Sequence, residues 1–106
     1  MWVICLCAEW CDTCRQYRSV FDSLAADWPC ARFLWVDIET EEDTIGDVEI
    51  ETFPTLLIAH GPQVHFFGPL PPHIDVLRRL LQEATPATIP QAIARDLLQR
   101  IQKSLR

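Results

Sequence analysis

The sequence predicts an α/β fold, a mixed sheet of about four strands flanked by helices. Three observations carry this. Short apolar runs rich in β-formers alternate with longer segments of helical periodicity, in the order β-α-β-(α)-β-β-α-α. Two helical crossovers between successive strands imply a parallel portion. A short loop containing glycine between the last two strands adds an antiparallel one. With 106 residues the chain is one domain, long enough to bury a real core.

Residues 2–7 are apolar and read as a buried strand. From Cys11 to Trp28 the apolar positions Cys14, Tyr17, Phe21, Leu24, Ala25 and Trp28 recur at helical spacing, and Pro29 ends that helix. Arg32 to Asp37 contains Phe33-Leu34-Trp35-Val36, apolar on both faces, as in a strand covered on both sides. A short acidic helix is expected around 41–48. Thr55 to Ala59 and Gln63 to Phe67 are strands joined by His60-Gly61-Pro62.

Gly68-Pro69-Leu70-Pro71-Pro72 breaks the pattern before a helix from about His73 to Ala84, with Ile74, Leu77, Leu80 and Leu81 inward. After Thr85-Pro86-Ala87, Thr88 is placed to cap a last helix. There Ile89, Ile93, Leu97, Ile101 and Leu105 fall at i+4 steps, joined by Leu98, so the helix is amphipathic and needs a surface to cover. The expected organisation is a domain over 1–84 and a C-terminal helical segment, 85–106, packed on it.

Net charge is −6, and eight of the fifteen acidic residues fall between Asp37 and Glu51. Such a balance disfavours nucleic acid, whose phosphates require a basic surface. The acidic run reads as a solvated face. No apolar stretch approaches the roughly 18 residues of a membrane span, so no membrane partner is expected. The start, Met1-Trp2-Val3-Ile4-Cys5, has no basic n-region, which favours the cytoplasm over the periplasm.

Five cysteines, an odd number, exclude a complete internal disulfide framework. Without a visible secretory signal, Cys11 and Cys14 read as a catalytic or metal-binding pair before a structural one. Helix N-terminal partial charge favours a thiolate at Cys11, and the adjacent Asp12 carboxylate opposes it. Cys5 and Cys7 alternate by two on a strand and point to one face. With Cys11 and Cys14 they could make a four-thiolate metal site, but plain core cysteines are the better reading, because the strand interior is buried while the motif sits at its tip. Cys30 is read as structural. His60, His65 and His73 lie on a turn, a strand and a helix start without ligand spacing, and are read as surface or turn residues.

Ala8-Glu9-Trp10-Cys11-x-x-Cys14 after a strand, Val36-Asp37 after the second strand, Phe53-Pro54-Thr55-Leu56-Leu57, and Gly68 after the hairpin resemble the thioredoxin family over residues 2 to about 84. The resemblance implies that Cys11 is the exposed nucleophile and Cys14 the buried resolving thiol, with a redox-active Cys11–Cys14 disulfide and no other cofactor. It implies a cis Pro54 facing that disulfide, with the backbone of Phe53 pairing with substrate. Trp10 would shield the disulfide or contact substrate. Expected partners are a disulfide-containing protein and a recycling reductase, with the chain a monomer or weak homodimer.

Three departures from the family pattern stand out. The chain starts at the strand that carries the cysteine pair, without the usual preceding strand and helix. The apolar strand at 33–36 then becomes a sheet edge. The C-terminal helix at 89–105, or a second subunit, is expected to cover part of the face the missing helix would occupy; packing beside 73–84 is the alternative. Cys5 stands where the family carries a buried Asp, and Phe33 where it carries the Lys partner. Finally, Asp12-Thr13 separates the cysteines, a dipeptide that tunes the reduction potential across the family. The function expected is thiol–disulfide exchange, with reduction of protein disulfides; the alternative is a non-enzymatic binding module of the same fold with a redox-sensitive cysteine pair.

Overall fold

In a computed structural model, which describes residues 1–46, 48, 50–82 and 92–104, four strands and four helices follow one another along the chain. They are β1 (Trp2–Cys7), α1 (Asp12–Asp27), β2 (Arg32–Asp37), α2 (Glu42–Ile45), β3 (Thr55–His60), β4 (Gln63–Pro69), α3 (Ile74–Gln82) and α4 (Ala92–Ser104). The strand order is β2-β1-β3-β4. β1 runs parallel to β2, from Trp2 opposite Arg32 to Cys7 opposite Asp37, and antiparallel to β3. The mixed sheet expected from the order of elements is the sheet observed.

Period-two alternation along β1 sorts its side chains onto two cores. Val3, Cys5 and Cys7 face α1 and α3, where they pack with Tyr17, Phe21, Leu24, Leu56, Ile58, Leu77 and Leu81. Ile4 and Leu6 face the other way, onto Val36, Ile45, Leu57, Ala59 and Val64, and this face is closed by Ala94, Leu97, Leu98 and Ile101 of α4. Thus α4 lies on the side of the sheet opposite α1 and α3. Arg100 fastens it to α2: its Nε donates to the Thr44 carbonyl at 2.8 Å and its Nη2 to that of Ile45 at 3.1 Å.

Element ends differ from expectation in ways that local geometry explains. α2 stops at Ile45, because Gly46 takes φ +62° and turns the chain out of the helix. β4 continues through Phe67 to Pro69, since Gly68 and Pro69 still pair with Leu56 and Thr55 on β3. β2 is one edge of the four-stranded sheet, and only Val36 on it is fully buried, so it is not covered on both sides along its length. On α4, Ile93 is 64% exposed rather than inward. Ile89, Leu105, the expected cap Thr88 and the linker at 85–87 lie outside the described residues. Among the described residues no helix is long and apolar enough to cross a membrane.

Candidate active site

The end of β1 delivers the chain to a tight turn, in which the Cys11 N–H donates to the Ala8 carbonyl at 3.1 Å. Cys11 then occupies the N-cap of α1 in extended conformation (φ −88°, ψ 119°), and its carbonyl accepts the Arg15 N–H at 3.1 Å. Its thiol is free and half-buried. Asp12 and Thr13 form the first turn, and Asp12 is paired with Arg15 at the surface. Cys14, three residues beyond Cys11, turns inward and is 1% exposed.

The peptide between Phe53 and Pro54 is cis, as the resemblance implied. The loop is pinned at both ends, by Leu70 N–H to the Pro54 carbonyl at 3.1 Å and by Thr55 Oγ1 to the Thr52 carbonyl at 2.6 Å. Phe53 packs at the margin of the same core as Cys11, Cys7 and Cys14. Trp10 bridges the two segments. Its ring meets Phe53 edge-on, and its Nε1 donates to Glu39 Oε1 at 2.6 Å. Glu39 is held in turn because its own N–H and that of Thr40 donate to Asp37 Oδ1, at 2.8 and 3.2 Å. The predicted site residues Trp10, Cys11, Asp12, Thr13, Cys14, Phe53 and Pro54 therefore lie on two neighbouring segments linked by one aromatic contact.

The disulfide differs from expectation. Cys14 is bonded to Cys7, with Cα atoms 5.8 Å apart, and not to Cys11. The reason lies in the packing of α1 on β1. Cys7 closes the strand on the face that α1 covers, and the inward turn of Cys14 places it above that residue. Cys7 is thus not a plain core cysteine. The four-thiolate set considered from sequence is not what these sulfurs form. Period two on β1 held the signal, since it aims Cys7 at the helix that carries Cys14.

Cys5 is free and wholly buried, and its Sγ donates to Cys7 Sγ at 3.9 Å. Burial pushes its thiol far up from the ordinary value, so it stays protonated. It is the neutral occupant of the position where the resemblance implied a buried Asp. Cys30, read as structural, is an exposed free thiol. His60 and His65, separate in the sequence reading, meet across the β3–β4 hairpin with ring centroids 4.7 Å apart.

A family model described as Thioredoxin matches residues 1–70. The chain is 33% identical over 51 residues to a thioredoxin of Chlamydia trachomatis serovar D, which covers 48% of this chain and 50% of that protein. It is 27% identical over 90 residues to Thioredoxin-2 of Saccharomyces cerevisiae, covering 85% of this chain and 74% of the relative. The chain therefore spans half the length of the first of these relatives. The solved thioredoxin of Fasciola hepatica superposes with a TM-score of 0.70 at 20% identity, over 79% of this chain and 80% of that one, a likeness of fold. With the family model matched from the first strand through the hairpin, and with C-x-x-C opening a helix beside a cis-prolyl loop, this chain belongs to the thioredoxin family.

Proposed function

We propose that the chain is a thiol–disulfide oxidoreductase that reduces disulfides in protein substrates, with Cys11 as nucleophile and Cys14 as resolving thiol. The observation that carries this reading is the placement of a half-exposed free thiol at the N-cap of α1, three residues before a buried cysteine already at disulfide distance from a neighbour. The helix terminus offers positive partial charge to a thiolate there.

In the reduced protein, the Cys11 thiolate attacks one sulfur of a substrate disulfide. A mixed disulfide forms, and the other substrate sulfur leaves as a thiolate and takes a proton. Cys14, as thiolate, then attacks Cys11 Sγ, closing a Cys11–Cys14 bond and releasing the second substrate thiolate. Two electrons have passed to the substrate, and a recycling reductase returns them to the protein. The cis-prolyl loop would present the Phe53 backbone to the substrate chain, with Trp10 flanking it.

Turnover of insulin disulfides under dithiothreitol tests this. Cys11→Ser is expected to abolish turnover, and Cys14→Ser to accumulate mixed disulfides that a reductant releases. Wild-type protein with no turnover above the uncatalysed reaction would overturn the assignment.

A further inference from the structure

Cys14 has two cysteine neighbours, one on each side. Cys7 lies beneath it on β1 and holds it in a disulfide. Cys11 precedes it by three residues, a separation that places side chains side by side at a helix start. We propose that Cys7 is a second redox partner of Cys14, so that oxidation is exchanged between a solvent-facing Cys11–Cys14 bond and a buried Cys7–Cys14 bond.

The exchange is redox-neutral. From the buried form, the Cys11 thiolate attacks Cys14 Sγ. The Cys11–Cys14 bond forms, the Cys7–Cys14 bond breaks, and Cys7 leaves as a thiolate that takes up the proton Cys11 had lost. No outside oxidant or reductant takes part. In the reverse step Cys7 gives up that proton and attacks Cys14 Sγ, the Cys7–Cys14 bond forms, and Cys11 leaves as the sulfur that takes the proton.

Burial decides who can perform it. Cys7 is 0% and Cys14 1% exposed, so no external thiol reaches either sulfur while they are joined. Cys11, half-buried, is the free thiol with one side on solvent and the other on the core that holds Cys14. Cys5 does not take Cys7's place, because Cys7 rather than Cys5 is bonded to Cys14 and Cys5 Sγ lies against Cys7 Sγ at 3.9 Å. Instead its S–H points at Cys7 Sγ and supplies a hydrogen bond to the sulfur that leaves. Cys5 is a positioning residue in this scheme. The buried bond stores the oxidised state where bulky reductants cannot attack it, and it leaves Cys11 a free thiol without a resolving partner.

The Cys7–Cys14 half of this exchange stands on the structure, whereas the Cys11–Cys14 half rests on the function proposed above. Glu9 lies between Cys7 and Cys11, so cleavage after glutamate separates a fragment holding Cys5 and Cys7 from one holding Cys11 and Cys14. The full chain is oxidised, its free thiols are blocked with N-ethylmaleimide in denaturant at mildly acidic pH, where thiol–disulfide exchange is slow, and the fragments are weighed without reductant. Two populations are expected. In one the fragments stay joined and Cys11 carries the label; in the other they separate and Cys11 is unlabelled. Cys7→Ala should abolish the joined population and the Cys11 label, while Cys5→Ala should retain both and slow their interconversion.

Oxidised wild-type fragments that separate completely, or a joined population that survives in Cys7→Ala, would overturn the proposal. So would a single joined population that never equilibrates with the separated one. These readouts need no substrate. Exchange without insulin turnover would sink the proposed function alone, and turnover without joined fragments would sink this inference alone.

Discussion

Trp10 meets Phe53 edge-on, with ring centroids 5.7 Å apart and planes at 86°. The contact joins the turn that launches α1 to the cis-prolyl loop, and the hydrogen bond from Trp10 to Glu39 draws in the turn after β2. Three segments far apart in sequence thereby converge on Cys11. An edge-to-face pair contributes about 0.5–1.5 kcal/mol beyond its buried area. Since Trp10 is still 61% exposed, most of its ring is available to a substrate chain.

Trp10→Ala is therefore expected to lower kcat/KM for a protein disulfide about fivefold, the equivalent of about 1 kcal/mol, chiefly through KM. Phe53→Ala should act in the same direction, and the double variant should cost less than the sum of the two, because each single change already breaks the pair. Steady-state kinetics on insulin checks this. An unchanged KM in Trp10→Ala would remove the indole from substrate binding.

Tyr17 offers a gain in stability. Its ring packs on Phe21 beneath α1, it is 2% exposed, and its hydroxyl has no hydrogen-bond partner among the described residues. A buried polar group left unpaired costs about 1–3 kcal/mol. Tyr17→Phe keeps the ring and removes the orphan, so it should stabilise the protein by about 1 kcal/mol, visible as a higher urea midpoint with an unchanged slope. A lower midpoint would show that the hydroxyl is satisfied.

What the sequence made legible was local. Cys14, Tyr17, Phe21 and Leu24 at helical spacing describe α1 fully, and the cysteine pair and Phe53-Pro54 are recognised within a few residues each. What it hid depends on how elements pack. Period two on β1 aims Cys7 at α1, but the Cys7–Cys14 bond also needs the height at which α1 rests on β1, and no spacing within either element records that height. The approach of His60 to His65 depends on the hairpin register, which slips between Ile58 and Ala59.

Alkaline pH should destabilise the fold through Cys5. Its thiol is raised by burial above an ordinary value of 9.0, and Tyr17 is likewise raised above 10.0, first by burial and then by Cys5. Between the unfolded and folded values the native state holds protons that the unfolded chain releases. Stability is thus full below about pH 9 and falls as pH rises, by up to about 1.4 kcal/mol per pH unit for each such group. With the Cys7–Cys14 disulfide intact, urea midpoints should decline from pH 9 to 10, and Cys5→Ala should flatten that decline whatever its own effect at pH 7. An equal slope in the variant would assign the loss to other groups.

The C-terminal helix supplies the sharpest contrast between two apolar residues four apart. Ile93 and Leu97 look equivalent on an i+4 ladder, yet each such step advances about 40° around a helix of 3.6 residues per turn. Ala94, Leu97, Leu98 and Ile101 form the buried stripe, and Ile93 falls off its edge into solvent. Leu97 is wholly buried in the core of Ile4, Leu6, Leu57 and Val64, so Leu97→Ala should cost about 2–5 kcal/mol. Ile93→Ala should change stability by less than about 0.5 kcal/mol. Equal losses at the two positions would mean that α4 turns a different face to the sheet. A negligible loss at Leu97 would mean that the helix does not cover the sheet in solution at all, and Ile4, Leu6 and Leu57 would then need another cover.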